Sequence, residues 1–346
     1  MSSGGELMGD GAYGCIFTPP LKCKNKKTQQ RLDKKKDLTI TKIILTPFAK
    51  KENAVAAIIR KIPLWKNYFV VSETMCEPSA TQKEKDLDSC HVIKDSKMSD
   101  FRLLFMPYGG QPLNLYRFNL KQFDFMEFAT HLIAAGAILN LFGVVHRDIH
   151  FGNIIVDADN VPRIIDFNLA IFKEHSDFEI QLSHHYDPNY PQEPPDSTLV
   201  NAIKKEHDPL SVISSIFKKR TTLRKVSTML NVPFSQMEKE LEDFYYSSKS
   251  VQKGDDLKWF QTYWRTIDSW AIGMILVELI SKISLWSEFS YSMEQVKDKL
   301  RPVLRGLCAM SPVHRLDCVQ ALHMIDPRHF VIRTYATAWL EKVGAQ

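Results

Sequence analysis

Two short stretches in the middle of the chain constrain it most: VVHRDIHFGNIIVD, Val144 to Asp157, and IIDFN, Ile164 to Asn168. Each sets oxygen-bearing residues among apolar, β-branched ones, the pattern of short buried strands that end in exposed turns. Asp148, Asn153 and Asp166 are thereby expected on loops at strand ends. A single Asp in such a place reads as a turn cap. Two Asp and one Asn closing neighbouring strands ask for more than capping. Together they supply one proton acceptor and two oxygen ligands for a hard cation, the set that phosphoryl transfer from Mg-ATP needs.

Near the start, Gly9-Asp10-Gly11-Ala12-Tyr13-Gly14 spells GxGxxG. Gly9 and Gly11 can turn the backbone tightly, and Gly14 has no side chain to obstruct a phosphate. Exposed N–H groups there would cradle phosphate oxygens, although the same pattern also occurs as an ordinary glycine turn. A dinucleotide site is not indicated. A helix should open directly after one, whereas Cys15-Ile16-Phe17 continues as a strand, and no Walker-type GK[ST] follows. Lys42 lies among apolar neighbours in a strand over 38–45, and an ammonium there needs an acid or an anion. Glu52, on a helix expected over 49–62, is its natural partner; the alternative is a surface lysine on an edge strand. Ala54, Ile58, Ile59 and Ile62 can share the buried face of that helix, and Pro63 ends it. His146 and His150 lie in no HExxH helix. His146 reads as packing, and His150 as a polar aid at the phosphates.

The rest of the chain sorts into a sheet-rich part and a helical part. Residues 6–18 read as strand, tight turn, strand. The basic run 22–36 reads as a solvated excursion or as a docking site for an acidic partner. A strand is expected near 67–73, a looped-out polar stretch over 78–99, and another strand over 101–106. Pro107-Tyr108-Gly109-Gly110 breaks that strand as a hinge. Residues 123–141 are apolar on most sides, as a buried helix is. Residues 197–262 are polar and lysine-rich, yet Ile213, Ile216, Phe217, Leu241 and Phe244 recur at helical spacing. They read as an inserted helical subdomain rather than a disordered linker. The expected class is α+β: a small sheet-rich lobe over 1–106, a hinge over 107–111, and a larger helical lobe over 112–346 that contains the insertion. A ligand would lie in the cleft between the lobes.

Composition excludes more than it assigns. At 346 residues, 44% apolar and 25% charged, the chain is of ordinary globular make-up, and a net charge of +5 requires no nucleic acid. Cys15, Cys23, Cys76, Cys90, Cys308 and Cys318 fall without close pairs, so neither a zinc knuckle nor a disulfide framework is expected. MSSGGELMG has no basic region and no apolar core, hence no signal peptide is expected. The run around Trp270 to Ile280 carries Glu278 and is too short to span a bilayer. A reduced, cytosolic setting is the expectation, with packaging in a virus particle or attachment to a membrane from outside left open.

Taken in chain order, these residues resemble the eukaryotic-type protein kinase family, over most of the chain outside the insertion. Gly9, Gly11 and Gly14 match the glycine-rich loop, Lys42 the strand lysine and Glu52 its helix partner. His146-Arg147-Asp148 matches HRD, Asn153 the metal-binding asparagine, and Asp166-Phe167 the start of DFG, at the family's spacing. Met106-Pro107-Tyr108 resembles the gatekeeper and hinge, where adenine would meet the carbonyl of Pro107 and the N–H of Gly109. Pro191-Gln192-Glu193 looks like APE, and Asp268 to Gly273 matches DxWxxG. Arg315 stands like the arginine that pairs with the APE glutamate.

The resemblance implies a bilobal protein-kinase-like fold and a serine/threonine protein kinase that uses ATP and Mg²⁺, with Mn²⁺ able to substitute. It implies Asp148, Lys42, Glu52 and His150 as catalytic residues and Asn153 and Asp166 as metal ligands. It implies Gly9, Gly11, Gly14, Ile16, Lys42, Met106, Tyr108, Gly109, Ile155 and Asp166 as nucleotide contacts. The short leader, odd loops and large insertion resemble serine/threonine kinases of large cytoplasmic DNA viruses, which implies host cytoplasm and the virion as locations. A protein substrate is implied, with 197–262 and 22–36 as candidate partner-binding stretches and no specific nucleic acid.

Three departures bear on activity. Asn168 replaces the glycine of DFG; Asn tolerates left-handed backbone, so Asp166 can still be presented. His150 stands where a lysine usually meets the γ-phosphate, and histidine is the shorter side chain. HRDIHFGN is similar to the HGDLHPGN-like loops of atypical and small-molecule kinases. The segment from Asp166 to Glu193 lacks the usual threonine near its end, with Tyr186 near that place. Arg147 would meet a phosphorylated Ser176 or Ser183, or the acids Glu174, Asp177 and Glu179 instead. Two other functions therefore stand beside the active protein kinase: a weak or inactive kinase-shaped scaffold, and a kinase for a small hydroxylated metabolite.

Overall fold

The computed structural model describes residues 5–11, 14–80, 82, 87–94, 96–173 and 187–344. They belong to two compact units, one of residues 1–110 with 165–168, the other of 111–164 with 169–346. The first is built on an antiparallel sheet of order β1-β2-β3-β5-β4. Its strands are β1 (Glu6–Gly11), β2 (Gly14–Thr18), β3 (Ile40–Leu45), β4 (Thr74–Cys76) and β5 (Phe101–Met106). Alternation along the strands sends Cys15, Phe17, Ile43, Phe101, Leu103 and Phe105 into one apolar cluster. Lys42 therefore points to the opposite sheet face.

Two readings of this unit need correction and one gains detail. The basic run is largely exposed between β2 and β3, as a solvated excursion is. It contains a helix, α1 (Lys26–Leu32), which Asn25 caps by accepting from the Thr28 N–H, and Leu32 is buried. The stretch near 67–73 is not a strand; α3 (Trp65–Tyr68) occupies its start and β4 follows it. On α2 (Thr46–Ile59) the buried residues are Ala49, Ala56 and Ile59, while Ala54 is exposed. The inward stripe is rotated from the one apolar periodicity suggested, and Glu52 lies on it between Ala49 and Ala56.

The cysteine expectation is also overturned. Cys15 is bonded to Cys90 and Cys23 to Cys76, across 75 and 53 residues. Partners this distant leave no spacing signal; the sheet brings them together. With them goes the cysteine argument for a reduced compartment.

The second unit is largely helical. α4 (Phe125–Leu141), capped by Asp124, is buried along most of its length. Short strands precede and follow its loops: β6 (Gln111–Pro112), β8 (Ile154–Val156) and β9 (Pro162–Ile164) form one sheet, and β7 (Val144–Val145) pairs with β10 (Ile171–Phe172). The polar stretch folds as helices α5 (Pro195–Lys204), α6 (Pro209–Lys219), α7 (Thr222–Leu230), α8 (Phe234–Ser247), α9 (Lys249–Gln252) and α10 (Asp256–Tyr263). Ile213, Ile216, Phe217, Leu241 and Phe244 are all buried, so the helical reading of this stretch holds. α11 (Ile267–Ile283) is the buried helix begun by Asp268. Helices α12 (Ser287–Leu307), α13 (Cys318–Ile325), α14 (Phe330–Tyr335) and α15 (Thr337–Gly344) complete the unit. A sheet-rich region thus gives way to a largely helical one, an α+β order of elements consistent with a bilobal kinase-like fold. Among the described residues no helix is long and apolar enough to cross a membrane.

Candidate functional site

In the first unit, the β1–β2 hairpin pairs Gly9 with Ile16 and Gly11 with Gly14, and β2 pairs Ile16 with Lys42. A Cβ on Gly9 would meet nothing within 4 Å, whereas one on Gly14 would lie 2.3 Å from the Ile43 carbonyl oxygen. Gly14 is thus small because β3 passes behind it, a packing reason that the phosphate argument did not contain. Ala12 and Tyr13 lie outside the described residues.

Lys42 Nζ stands 2.7 Å from Glu52 Oε2, with side chains 16% and 15% exposed. A charge-assisted bond that is this well sheltered is stronger than a surface pair. Met106 ends β5 opposite Ile40. The Tyr108 N–H donates to Thr39 Oγ1 at 3.2 Å, and Gly110, after Gly109, has φ 123°. Asp166 is left-handed at φ 63°. The Asn168 N–H approaches its Oδ1 at 3.4 Å, and Phe167 packs edge-on against Phe69 at 5.4 Å. The left-handed residue is therefore Asp166 itself and not Asn168: the chain turns before Phe167, which is then buried.

In the second unit, the loop after β7 is held from beneath by Asp268 at the start of α11. Its Oδ2 accepts the His146 N–H at 2.6 Å and its Oδ1 the Arg147 N–H at 2.9 Å. His146 is fully buried, and its Nδ1 accepts the Asp148 N–H at 3.2 Å. These bonds fix Arg147 in the left-handed region, φ 68°, and turn Asp148 outward. Asp148 Oδ1 accepts the Tyr190 hydroxyl at 2.8 Å. Asn153 Nδ2 donates to Asp148 Oδ2 at 3.1 Å and to the Asp148 carbonyl at 2.9 Å. With its amide nitrogen so engaged, Asn153 has its amide oxygen left as a donor that could take a hard cation. His150 Nδ1 accepts the Gly152 N–H at 3.0 Å, and its Nε2 lies 3.8 Å from Asp148 Oδ2, too far for a hydrogen bond. Ile155 is buried on β8 opposite Pro112 and Arg163.

Burial sets the electrostatics here. It pulls Arg147 down to about 10 against the attraction of Glu193, Asp268 and Asp148, so this guanidinium stays charged at neutral pH. Burial pushes the Asp268 carboxyl up, opposed by His146 and the two N–H bonds. It also pushes Glu193 up, opposed first by Arg220. Tyr190 is raised by burial and then by the Asp148 charge, so its hydroxyl keeps its proton and donates. Among the described residues no group of three or more His, Cys, Asp or Glu gathers to hold a metal.

The arginine pairing differs from expectation. Arg315 Nη2 bonds Asp196 Oδ1 at 2.7 Å, both side chains fully buried, and Trp259 Nε1 donates to Asp196 Oδ2 at 3.0 Å. The tether is thus Pro194-Pro195-Asp196 and not Pro191-Gln192-Glu193. Glu193 instead accepts from Ser197 and Thr198 at 2.9 and 3.0 Å. A second acid preceded by proline was the available signal. Arg220 had none: it is almost fully buried and donates to the carbonyls of Pro188 and Glu193 at 2.9 and 2.7 Å, and to Thr198 Oγ1. A cavity of about 240 Å³ is lined here by Arg147, Asp148, Asp187, Tyr190, Glu193 and Trp259 among others. Glu174, Ser176, Asp177, Glu179, Ser183 and Tyr186 lie outside the described residues.

No family model matches the chain. A protein kinase and PP2C-like domain-containing protein of Oryza sativa subsp. japonica is 30% identical to it over 88 residues. The similarity covers 25% of this chain and 13% of that protein. It is a partial likeness, consistent with a protein-kinase-like superfamily.

Proposed function

We propose that this chain is a serine/threonine protein kinase that transfers the γ-phosphoryl group of ATP to a protein hydroxyl. The observation that carries the reading is the Lys42–Glu52 pair at 2.7 Å, which sets a cation beside the glycine hairpin. Lys42 would hold the α- and β-phosphates. Backbone from Gly9 to Gly14 would cover them, with Ile16 and Ile155 against the base and Met106, Tyr108 and Gly109 at its edge. The Asn153 amide oxygen and the Asp166 carboxylate would hold Mg²⁺, which when bound neutralises phosphate charge. Asp148 would orient the acceptor hydroxyl and take its proton as the acceptor oxygen bonds to phosphorus and the ADP oxygen leaves. Positioning and fixed charge do the catalysis, with no covalent enzyme intermediate. The resemblance of the sequence to viral kinases supports host cytoplasm as the setting for this activity, and residues 197–262 or 22–36 would recruit partners.

Labelled phosphate incorporation into generic proteins, wild type against Asp166→Ala, tests the reading. Transfer should fall by about a hundredfold or more in the variant. Equal transfer by both, or none by either, would instead support the scaffold. His150 in the place of a lysine favours a second reading, a small hydroxylated metabolite as acceptor. Product analysis with a metabolite panel separates the two.

A further inference from the structure

We propose that Tyr190 is a positioning residue for the Asp148 carboxylate, held in place by Arg220 of the helical insertion. The inference rests on the protein-kinase reading and deepens it. Tyr190 gives Asp148 Oδ1 a bond of 2.8 Å, and Asn153 gives Oδ2 one of 3.1 Å. A carboxylate held at both oxygens has one orientation. Each oxygen carries two lone pairs, so Oδ1 still has a site for an acceptor hydroxyl beside the phenol. Tyr190 thus orients the base without consuming it.

What fixes Tyr190 lies on the insertion. Arg220, at the C-terminal cap of α6, donates to the Pro188 carbonyl two residues before Tyr190 and to the Glu193 carbonyl three residues after it. A third bond reaches Thr198 Oγ1 on α5. The planar fork of a guanidinium suits several fixed acceptors at once and stays charged at any physiological pH. The short stretch that carries Tyr190 is therefore clamped on both sides by a permanent cation. This clamp needs no phosphate, and it gives the insertion a role in the chemistry of the loop.

The test is steady-state kinetics of wild type, Tyr190→Phe, Arg220→Lys and the double variant, with melting curves for each. Phe keeps the ring and removes only the donor. It should lower kcat about tenfold, the effect of one lost bond to a charged group, with KM for ATP within about twofold. Arg220→Lys should also lower kcat, and the double variant should be no worse than the weaker single, because the two residues act in series. Unchanged or raised kcat in Tyr190→Phe, or additive losses, overturns the inference while the kinase reading stands. Should the Arg220 variants fail to fold, Tyr190→Phe decides alone. Absence of transfer by wild type overturns both.

Discussion

The two units are fastened by different chemistry. The sheet-rich one is tied by Cys15–Cys90 and Cys23–Cys76, and several of its ion pairs, such as Lys24–Glu77, are at the surface. The helical one has no disulfide among its described residues. Cys308 and Cys318 are buried thiols, pushed up by burial, Cys308 to about 12. It is pinned instead by polar groups sealed inside: Arg315 on Asp196, Asp268 on the 146–147 backbone, and Asn140 between the Arg265 carbonyl and the Cys318 N–H. Size accounts for the contrast. A small unit buries a smaller share of its surface and gains most from a covalent tie that restricts its unfolded chain. A larger one has interior enough to enclose charges and satisfy them.

The largest test of this contrast is Arg315→Ala. It leaves Asp196 buried without its cation and should cost about 3–5 kcal/mol in urea unfolding; a loss under about 1 kcal/mol would show that the helical unit does not depend on its sealed charges. Next is the double change Cys15→Ser and Cys90→Ser, expected to cost about 2–4 kcal/mol. Hydrogen exchange should show the loss in residues 5–110 while α4 and α11 keep their protection, and deprotection spread over both units would erase the distinction. The smallest is Glu278→Gln on α11. Burial raises the Glu278 carboxyl above its ordinary 4.5, with Lys225 and Lys282 opposing, and its Oε1 has no hydrogen-bond partner among the described residues. The folded state therefore holds a proton that the unfolded state releases, so stability falls as pH rises from 4.5 toward the raised value and stays lower above it. The Gln variant should lack that fall and be more stable above the window by less than about 1 kcal/mol. Melting temperatures of both proteins across the acid range check the sign.

What the sequence disclosed follows the reach of each interaction. α11 was legible because an apolar run and its leading acid lie within one helix, and the closeness of Asp148 and Asn153 because five residues separate them on one loop. The face of α2 was misjudged because apolar spacing favours Ala54, while the ion pair to Lys42 turns Glu52 inward. The disulfides, the Arg315–Asp196 pair and the Arg220 clamp join residues far apart in the chain. Local pattern carries no trace of such partners; only the fold supplies them. Tyr190 was missed for a related reason: attention fell on a missing threonine and on Tyr186, while the hydroxyl that reaches Asp148 is that of Tyr190, 42 residues along the chain.

The two sulfur bridges are nested, since Cys23 and Cys76 both lie between Cys15 and Cys90. The lysine-rich helix α1 and its exposed flanks sit inside both loops. A trypsin nick after Lys26 would leave residues 1–26, with Cys15 and Cys23, attached twice to the remainder. The clipped protein would run as one piece on a gel without thiol and shed a short peptide bearing the glycine hairpin once thiol is added. Backbone continuity through 24–75 is thus not what keeps that hairpin on the molecule.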